Sequence, residues 1–221
     1  MKDIVIALDG YSGTGKSSTA QQVAKKLGYI YIDSGAMYRA VTYFLIQKNA
    51  DLNDLRLIEK LLDDCRLEFR QENIYLNGEN VESEIRTMQV NEKVSTVSAI
   101  SAVRQKLVEQ QRILGKNKAV VMDGRDIGTV VFPNAELKLF MTANMEVRTE
   151  RRKKQLESKG IIESEDNIRK NLLERDRKDS ARSDSPLRKA EDAKEIDTSD
   201  LTLNEQIEKI VSMANEIINE D

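Results

Sequence analysis

Near the start of the chain, residues 10–18 have the sequence GYSGTGKSS, in which glycines, a lysine and serines stand at the spacing of a phosphate-binding motif. Glycines at positions 10, 13 and 15 let the backbone wrap closely around an anion, so that successive N–H groups point at its oxygens. Lys16 adds a positive charge for the terminal phosphates of a nucleotide, and the Ser17 hydroxyl can ligate the Mg²⁺ ion that accompanies them. The spacing therefore predicts a loop that binds a nucleoside triphosphate. Its candidate contacts are Gly10, Tyr11, Ser12, Gly13, Thr14, Gly15, Lys16, Ser17 and Ser18.

The segments on either side of this loop are those that a phosphate loop requires. The apolar run Ile4–Leu8 precedes it and predicts a buried strand, and Ala20, Val23, Ala24 and Leu27 follow it at helical spacing. A helix that begins at the loop directs the positive end of its dipole at a bound anion. The alternative is a glycine-rich turn between a strand and a helix that binds nothing. The complete order of strand, loop, Lys-Ser pair and helix favours nucleotide binding.

Charged side chains also follow a later apolar strand, Ala119–Met122, in the sequence Asp123-Gly-Arg-Asp126. Ligands of parallel sheets gather at the carboxyl ends of the strands, so we expect these residues to lie near the phosphate loop. Arg125 could hold a phosphate through two hydrogen bonds, and a neighbouring carboxylate could bind a base or influence the metal shell. The alternative is a turn whose charges pair only with each other.

The end of the second apolar run has a comparable sequence, Asp33–Arg39, which reads DSGAMYR. Asp33 or Ser34 could serve only as the cap of the helix that follows. Arg39 lies one turn inside that helix and could face a cleft.

A third charged segment, Glu174–Arg182, lies in the charge-rich helical stretch Arg148–Arg182. Spacings of four and three place Arg175, Asp179 and Arg182 on one helical face. Ion pairs on a solvated helical hairpin explain this pattern, and so does a mobile lid that closes with its arginines over a transferring phosphoryl group. Such transfer depends on positioning and charge stabilisation, and an ionised phosphate acceptor needs no general base. The sequence contains no histidine, which this chemistry does not require.

Composition indicates one folded domain with room for a lobe or an insertion, because the chain has 221 residues. The net charge of −3 argues against a surface that coats nucleic acid. Cys65 is the only cysteine, so neither an intramolecular disulfide nor a multi-cysteine zinc site can form, and the helical spacing around it predicts a buried side chain. An apolar strand at the very start leaves no room for a signal peptide, and no apolar run could span a membrane. We therefore expect a cytoplasmic protein with no membrane partner.

Short apolar strands alternate with helical stretches along the rest of the chain. Further strands are predicted at Tyr29–Ile32, Leu137–Met141 and Lys194–Asp197, and a helix at about residues 36–48. Runs of this kind, separated by helices, are typical of the parallel strands of a doubly wound α/β sheet.

Two local signals predict particular elements outside that alternation. Asn77-Gly78, after the runs Leu67–Phe69 and Ile74–Leu76, indicates a small antiparallel hairpin element. Thr202 and Glu205 form a capping box at the start of the last helix, whose apolar face we expect to pack on the sheet.

Taken together, these motifs resemble the bacterial cytidylate kinase family of nucleoside monophosphate kinases. They follow the family's order and extend from about residue 2 to about residue 215, and the run Asp123–Phe132 is especially characteristic. The motifs that carry the resemblance are Gly10–Ser18, Asp33–Arg39, Glu84–Thr87, Val103-Arg104, Asp123–Phe132 and Arg175–Arg182.

The resemblance implies an α/β P-loop kinase over residues 1–221, with a parallel five-stranded sheet flanked by helices. Its core would occupy about residues 1–35, 87–147 and 183–221. A nucleoside-monophosphate-binding lobe with the small antiparallel insertion would occupy about residues 36–86, and a helical lid about residues 148–182.

By the same resemblance, the site residues divide into groups with separate roles. Contacts to the cytosine would come from Ser34, Ser95, Arg104 and Asp126. The acceptor phosphate would be held by Arg39, Arg125 and Arg182. The sugar would be reached by Arg175 and Asp179. ATP would be bound by Lys16 and the loop amides, with Arg151 and Arg152 from the lid. Catalysis would rest on Lys16, Arg125 and Arg182, with Ser17 as the metal ligand.

The implied reaction is transfer of the γ-phosphate of ATP, with Mg²⁺, to CMP or dCMP by a monomer without a nucleic-acid partner. Two alternatives are another small-molecule P-loop kinase, for UMP or a shikimate-like acceptor, and a nucleotide-binding switch without catalysis. The sequence departs from the family pattern at Tyr11, where proline is common, and at Ser18, where threonine is common. Neither change should alter the loop chemistry, although Tyr11 bears on how the loop is shielded.

Overall fold

Strands and helices alternate along the computed structural model, which describes residues 2–70, 73–158 and 160–220. In these residues the strands are β1 (Val5–Gly10), β2 (Ile30–Asp33), β3 (Leu67–Arg70), β4 (Asn73–Leu76), β5 (Glu79–Asn80), β6 (Val120–Asp123), β7 (Leu137–Thr142) and β8 (Lys194–Asp197). The helices are α1 (Lys16–Leu27), α2 (Ser34–Gln47), α3 (Leu55–Leu62), α4 (Met88–Val97), α5 (Ser101–Leu114), α6 (Met145–Glu157), α7 (Glu165–Ser180) and α8 (Leu203–Ile218). A 3₁₀ turn at Glu84–Arg86 precedes α4, and a π-helical turn at Ile127–Val131 follows β6.

The chain divides into two compact units. The first comprises the residues up to Tyr31 and those from Asn117 onward, and the second comprises Ile32–Lys116. The boundary lies within β2, close to the predicted start of the lobe, and helices α4 and α5 belong to the second unit. Among the described residues, none of the helices combines the length and the apolar character required to cross a bilayer.

A parallel five-stranded sheet organises the first unit, in the order β2–β6–β1–β7–β8. β1 pairs in parallel with β6 on one side and with β7 on the other, and β8 pairs in parallel with β7. The carboxyl ends of these strands meet at one edge, so the loops after β1 and β6 lie side by side. The predicted fold class is confirmed, and each of the five predicted strands lies within about two residues of its predicted limits.

The last helix packs on this sheet as the sequence predicts. Thr202 and Glu205 form the capping box, with the Thr202 amide donating to Glu205 Oε2 at 2.8 Å. Ile207, Ile210 and Ala214 are buried in the same apolar cluster as the side chains of β1 and β7. The cap fixes where the helix begins, and the buried face holds it against the sheet.

The second unit contains the predicted antiparallel element, in the strand order β3–β4–β5. Leu67 lies opposite Leu76, and Asn77-Gly78 makes the second turn with φ angles of 51° and 89°. Both residues tolerate this left-handed conformation, which explains the Asn-Gly signal. Residues 71 and 72, between β3 and β4, lie outside the described residues.

Cys65 is buried, as predicted, but it lies beyond the end of α3 rather than within a helix. The apolar spacing that suggested a longer helix continues into a turn that is closed by the bond from the Cys65 amide to the Leu62 carbonyl. Burial raises the pKa of the thiol to about 11, so it stays protonated at neutral pH.

A buried carboxylate joins the end of β1 to the π-helical turn. Asp9 accepts hydrogen bonds from the amides of Ile127, at 2.8 Å, and Gly128, at 2.7 Å. A Cβ on Gly128 would lie 3.4 Å from Asp9 Oδ2 and 3.3 Å from Lys138 Cδ, so a side chain there would crowd this junction. Burial raises the pKa of Asp9 to about 7, against the lowering effect of the two amides.

We expect Asp9→Asn to remove a pH-dependent part of the stability. The pKa of Asp9 lies above its ordinary value, so the folded state binds the extra proton between about pH 4 and about pH 7. The stability that Asp9 contributes is therefore present at low pH and falls as the pH rises through this window. Relative to the variant, the wild type should lose about 2 kcal/mol of unfolding free energy between about pH 5 and about pH 8.

Urea unfolding of both proteins across this range measures the difference. Asp197→Asn is a matched control, because hydrogen bonds from Ser199 lower the pKa of that exposed carboxylate. Its difference from the wild type should stay constant above about pH 5. A constant difference for Asp9→Asn as well would contradict the raised pKa.

Candidate active site

The backbone between β1 and α1 has the geometry of a phosphate loop. Gly10 has φ 143°, and a Cβ on it would lie 2.1 Å from the Met141 carbonyl oxygen. Gly13 and Gly15 have φ angles of 79° and 92°, in the left-handed region that favours glycine. Gly15 is the N-cap of α1 and has no side chain with which to cap the helix. The glycine spacing thus creates the loop and leaves the helix N-terminus suited to an anion.

Lys16 is buried inside this loop. Its Nζ donates to the Tyr11 carbonyl at 2.5 Å and to Thr14 Oγ1 at 3.3 Å. Burial, followed by repulsion from Arg125, lowers the pKa of Lys16 well below its ordinary value. Loop oxygens therefore hold the amine at the position where an incoming phosphate would compete for it.

Ser17 and Asp123 connect the loop to the end of β6. The Ser17 hydroxyl donates to Asp123 Oδ2 at 2.8 Å, and the Tyr31 hydroxyl donates to Asp123 Oδ1 at 2.7 Å. Among the described residues, no three acidic, histidine or cysteine side chains form a metal cluster. This donor set fits Mg²⁺ bound with a nucleotide, because that ion takes one or two protein ligands and fills its shell with phosphate oxygens and water.

Arg125 and Arg182 converge on one carboxylate. Arg125 Nε donates to Asp179 Oδ2 at 3.0 Å, and Arg182 forms an ion pair with Asp179 Oδ1. Burial raises the pKa of Asp179, but the charges of Arg125, Arg182 and Arg175 outweigh it, so the pKa ends below its ordinary value. The predicted helical face therefore exists, and it gathers the cations expected at the acceptor phosphate.

Sequence reasoning missed two members of this cluster, Arg148 on α6 and Asp176 on α7. They form a buried ion pair, and both also bond to the backbone of Ser12. The available signal was that Asp176 shares the helical face of Asp179 and that Arg148 lies one turn before Arg151. The sequence of this segment is also compatible with ion pairs on a solvent-exposed surface. Exposed pairs such as Lys178–Glu174 do lie on its outer side.

The two arginines that the resemblance assigns to the ATP side differ in their contacts. Arg151 Nη1 donates to the Thr14 carbonyl at 3.1 Å and to Thr198 Oγ1 at 2.9 Å, so it reaches the phosphate loop. Arg152 donates to Gln155 Oε1 at 2.6 Å, one turn along the same helix.

Within the second unit, Arg39 and Ser34 lie at the start of α2. Asp33 caps this helix by accepting from the Ala36 amide at 2.8 Å, and the Ser34 side chain is buried. A Cβ on Gly35 would lie 2.9 Å from Arg39 Nη1, so the glycine allows the guanidinium to lie over the first turn. Asp33 therefore caps the helix, and Arg39 lies over the same first turn, so the two features occur together.

Arg104 is buried in the same unit. Its Nη1 donates to the Ser98 carbonyl at 3.1 Å, and its guanidinium carbon lies 5.3 Å from the Tyr38 ring centroid. Ser98 Oγ in turn donates to the Ser95 carbonyl at 3.1 Å, so the end of α4 connects Arg104 to Ser95.

The predicted site residues thus form two groups, one in each unit. The first unit brings together the phosphate loop, Arg125, Asp179, Arg182 and the buried Asp126. The second unit contains the residues listed by the resemblance for the base and the acceptor phosphate, namely Ser34, Arg39, Ser95 and Arg104.

Known proteins resemble this chain along its whole length. A family model described as Cytidylate kinase matches residues 6–216. A protein named Cytidylate kinase from Flavobacterium johnsoniae is 51% identical and covers 100% of both chains. One of the same name from Bacteroides thetaiotaomicron is 47% identical, again with 100% coverage of both.

Solved structures support the fold. Shikimate kinase from Bacteroides thetaiotaomicron aligns over 99% of this chain and 100% of its own, with a TM-score of 0.50 and 13% identity. At this low sequence identity, the structural alignment supports the P-loop kinase fold and nothing more specific. The match over residues 6–216 and the relatives of about half-identical sequence establish that this chain belongs to the cytidylate kinase family.

Proposed function

We propose that this protein transfers the γ-phosphate of ATP to CMP or dCMP, giving ADP and CDP or dCDP. Membership of the family supports the proposal. The observation that carries it is the convergence of Arg125 and Arg182 on Asp179, with Arg125 also bonded to Ser12 of the phosphate loop. A donor loop and a pair of arginines beside it are what transfer between two phosphates requires.

The phosphate loop supplies the donor half of the reaction. Its amides and the α1 N-terminus would bind the ATP phosphates, and Lys16 would exchange the Tyr11 carbonyl for phosphate oxygens. Ser17 and Asp123 would hold Mg²⁺, which shields the donor phosphates when it is bound. Arg151 donates to the Thr14 carbonyl of the phosphate loop, and this contact is consistent with a role in binding ATP.

The acceptor half depends on exchange of one anion for another. Arg125 and Arg182 now pair with Asp179, and a substrate phosphate would compete for the same guanidinium groups. Asp179, released from part of this pairing, would reach the sugar together with Arg175, as the family resemblance implies. Transfer would be direct and in line. The acceptor oxygen is already ionised, so no residue has to remove a proton.

Cytosine recognition follows from its pattern of donors and acceptors. The Asp126 carboxylate would accept from the exocyclic amine, while Arg104, Ser34 and Ser95 would donate to ring N3 and O2. Uracil presents a carbonyl where cytosine has the amine, so it would leave the carboxylate without a donor. These base contacts, the role of Arg39 and the monomeric state rest on the family resemblance, and the cytoplasmic location rests on the expectation drawn from the sequence.

A panel of acceptors tests the proposal directly. ATP turnover should be measured by coupled ADP detection with CMP, dCMP, UMP and shikimate. We expect rapid turnover with CMP or dCMP. Negligible turnover with both would contradict the proposal, and preference for shikimate would indicate an alcohol kinase. Nucleotide binding without any product would indicate a switch.

Lys16→Met should abolish transfer to every acceptor, by at least about a thousandfold, because it removes a buried cation from the donor phosphates. Steady-state rates with saturating ATP and CMP measure this. Lys154→Met is the control, because Lys154 forms an exposed pair with Glu150 and should leave the rate unchanged. Equal rates for the Lys16 variant and the control would remove Lys16 from catalysis.

Asp126→Asn should damage base recognition selectively. The neutral amide presents a donor as well as an acceptor, so the preference for CMP over UMP in kcat/KM should fall by about tenfold or more. Asp192→Asn is a suitable comparison, because Asp192 is an exposed carboxylate paired with Lys138. An unchanged CMP-to-UMP ratio in the Asp126 variant would show that this residue does not read the base.

Arg182→Ala should lower kcat by about a hundredfold while ATP alone binds with near-normal affinity. The reason is that Arg182 pairs with Asp179, the carboxylate that also binds the acceptor arginine Arg125. Calorimetric titration of ATP without acceptor separates the two effects. A large loss of ATP affinity would place Arg182 on the donor side instead.

A further inference from the structure

Ser12 uses all three of its polar groups to bond residues outside the phosphate loop. Its amide donates to Asp176 Oδ1 at 2.9 Å, and its carbonyl accepts from Arg148 Nε at 2.7 Å. Its hydroxyl accepts from Arg125 Nη2 at 2.9 Å, and the residue is only 3% exposed. The Ser12 amide thus donates to a carboxylate of the protein itself, which distinguishes it from the loop amides expected to face the nucleotide phosphates.

The Arg148–Asp176 pair holds the Ser12 peptide from both sides. The two side chains come from α6 and α7 and are 6% and 8% exposed as residues. A buried ion pair is costly unless further hydrogen bonds satisfy it, and here the Ser12 amide and carbonyl supply those bonds. The bonds therefore tie the pair and the loop to each other.

The neighbours of Ser12 extend the contact between the loop and the two helices. The Arg148 guanidinium lies 5.5 Å from the Tyr11 ring centroid. A Cβ on Gly13 would lie 3.2 Å from the Arg148 carbonyl oxygen and 3.5 Å from Leu172 Cδ2. Loop residues 11–13 are therefore seated directly on α6 and α7, which fixes the position of Ser12.

Arg125 is held between the phosphate loop and α7. Its Nη2 bonds Ser12, its Nε bonds Asp179, and its Nη1 donates to the Gly124 carbonyl at 3.1 Å. Three acceptors from three segments define the plane of this guanidinium. One of them belongs to the loop that would carry the donor phosphates, so the position of Arg125 is set relative to that loop.

We propose that Ser12 is a positioning residue that aligns the acceptor arginine Arg125 with the donor loop, and that the Arg148–Asp176 pair fixes Ser12 for this purpose. The proposal rests on the acceptor role given to Arg125 under the proposed function. In-line transfer is sensitive to small errors in the relative position of the two phosphates. A hydroxyl that joins the donor loop to the acceptor arginine sets that relative position before either substrate binds.

A double-mutant cycle between Ser12→Ala and Arg125→Ala tests the first part. In the wild-type background Ser12→Ala should lower kcat for CMP by about tenfold, while the Kd of ATP alone changes less than about twofold. In the Arg125→Ala background it should change kcat less than about twofold, because the bond it removes is already absent. Single-turnover transfer from radiolabelled ATP keeps the slow variants measurable.

The outcomes separate this inference from the proposed function. If Arg125→Ala leaves CMP turnover unchanged, the acceptor role of Arg125 is wrong and the positioning role falls with it. If Arg125→Ala is slow but Ser12→Ala costs the same factor in both backgrounds, the acceptor role stands and the positioning role of Ser12 is overturned. No loss of kcat with Ser12→Ala alone also overturns it.

The second part is tested by replacing the ion pair as a unit. Asp176→Asn should lower both the melting temperature and kcat, because it leaves Arg148 buried without its counter-charge. The combined change Arg148→Leu with Asp176→Leu should give a higher melting temperature than Asp176→Asn, since it removes the unpaired buried charge, although the Ser12 amide and carbonyl lose their partners. We expect kcat to stay about tenfold low, because neither leucine can hold the Ser12 peptide. Wild-type turnover in this double variant would overturn the role of the pair.

Glu146→Gln is the matched control for both measurements. It weakens the exposed pair between Glu146 and Arg169, which joins the same two helices at 3.2 Å. Exposed pairs contribute little to stability, so the melting temperature and kcat should both stay at wild-type values. A loss of kcat in this control equal to that of the double leucine variant would show that any disturbance of α6 and α7 slows transfer, and would overturn the specific role of the buried pair.

Discussion

The compensation of buried positive charge is the constraint on which this site depends. Lys16 and Arg148 are buried as whole residues, and the Arg182 side chain is nearly so. Each cation lies within the influence of a carboxylate: Asp123 and Asp176 for Lys16, Asp176 for Arg148, and Asp179 for Arg182. An unpaired buried charge would cost several kcal/mol, so the acidic side chains are what allow the cations to be in place before any phosphate binds.

This compensation divides the carboxylates into two kinds. Asp179 interacts with three arginines that would bind or lie near substrate, so a phosphate would compete for its partners. Asp9 and Asp176 instead accept bonds from backbone amides, at Ile127 and Gly128 and at Ser12. Both carboxylates are buried, so we expect these three bonds to stay in place while the arginine pairs exchange. The site therefore combines exchangeable charge pairs with a fixed frame of carboxylate–amide bonds.

Local sequence patterns were sufficient to predict the fold and several local features of the candidate site. The glycine spacing predicted the loop, because φ angles of 79° and 92° at Gly13 and Gly15 are available to few other residues. Helical spacing predicted that Asp179 and Arg182 share a face, and the Asn77-Gly78 pair predicted a hairpin turn. Each of these features depends on residues within about four positions of one another, and local pattern is informative at that range.

The frame that holds the loop could not be predicted in this way. Asp176 and Ser12 are 164 residues apart, and Asp9 is 118 residues from Ile127. Helical spacing places Asp176 on the face of Asp179 but does not identify its partner, and a single aspartate at the end of a strand has no periodic signature. Only the tertiary fold brings such partners together, so sequence reasoning missed Asp9, Arg148 and Asp176.

The departure from the family pattern at Tyr11 involves both the local chemistry of the loop and its tertiary contacts. The chemistry of position 11 lies in its carbonyl, which accepts from Lys16 and from Thr14 Oγ1. Proline, which is common there, offers the same carbonyl, so the exchange leaves the loop chemistry intact. The tyrosine ring adds an edge contact with Phe140, at 5.5 Å between centroids, and lies beside the Arg148 guanidinium. The substitution therefore acts on the packing that seats the loop on α6, and through Arg148 it acts on the same frame that holds Ser12.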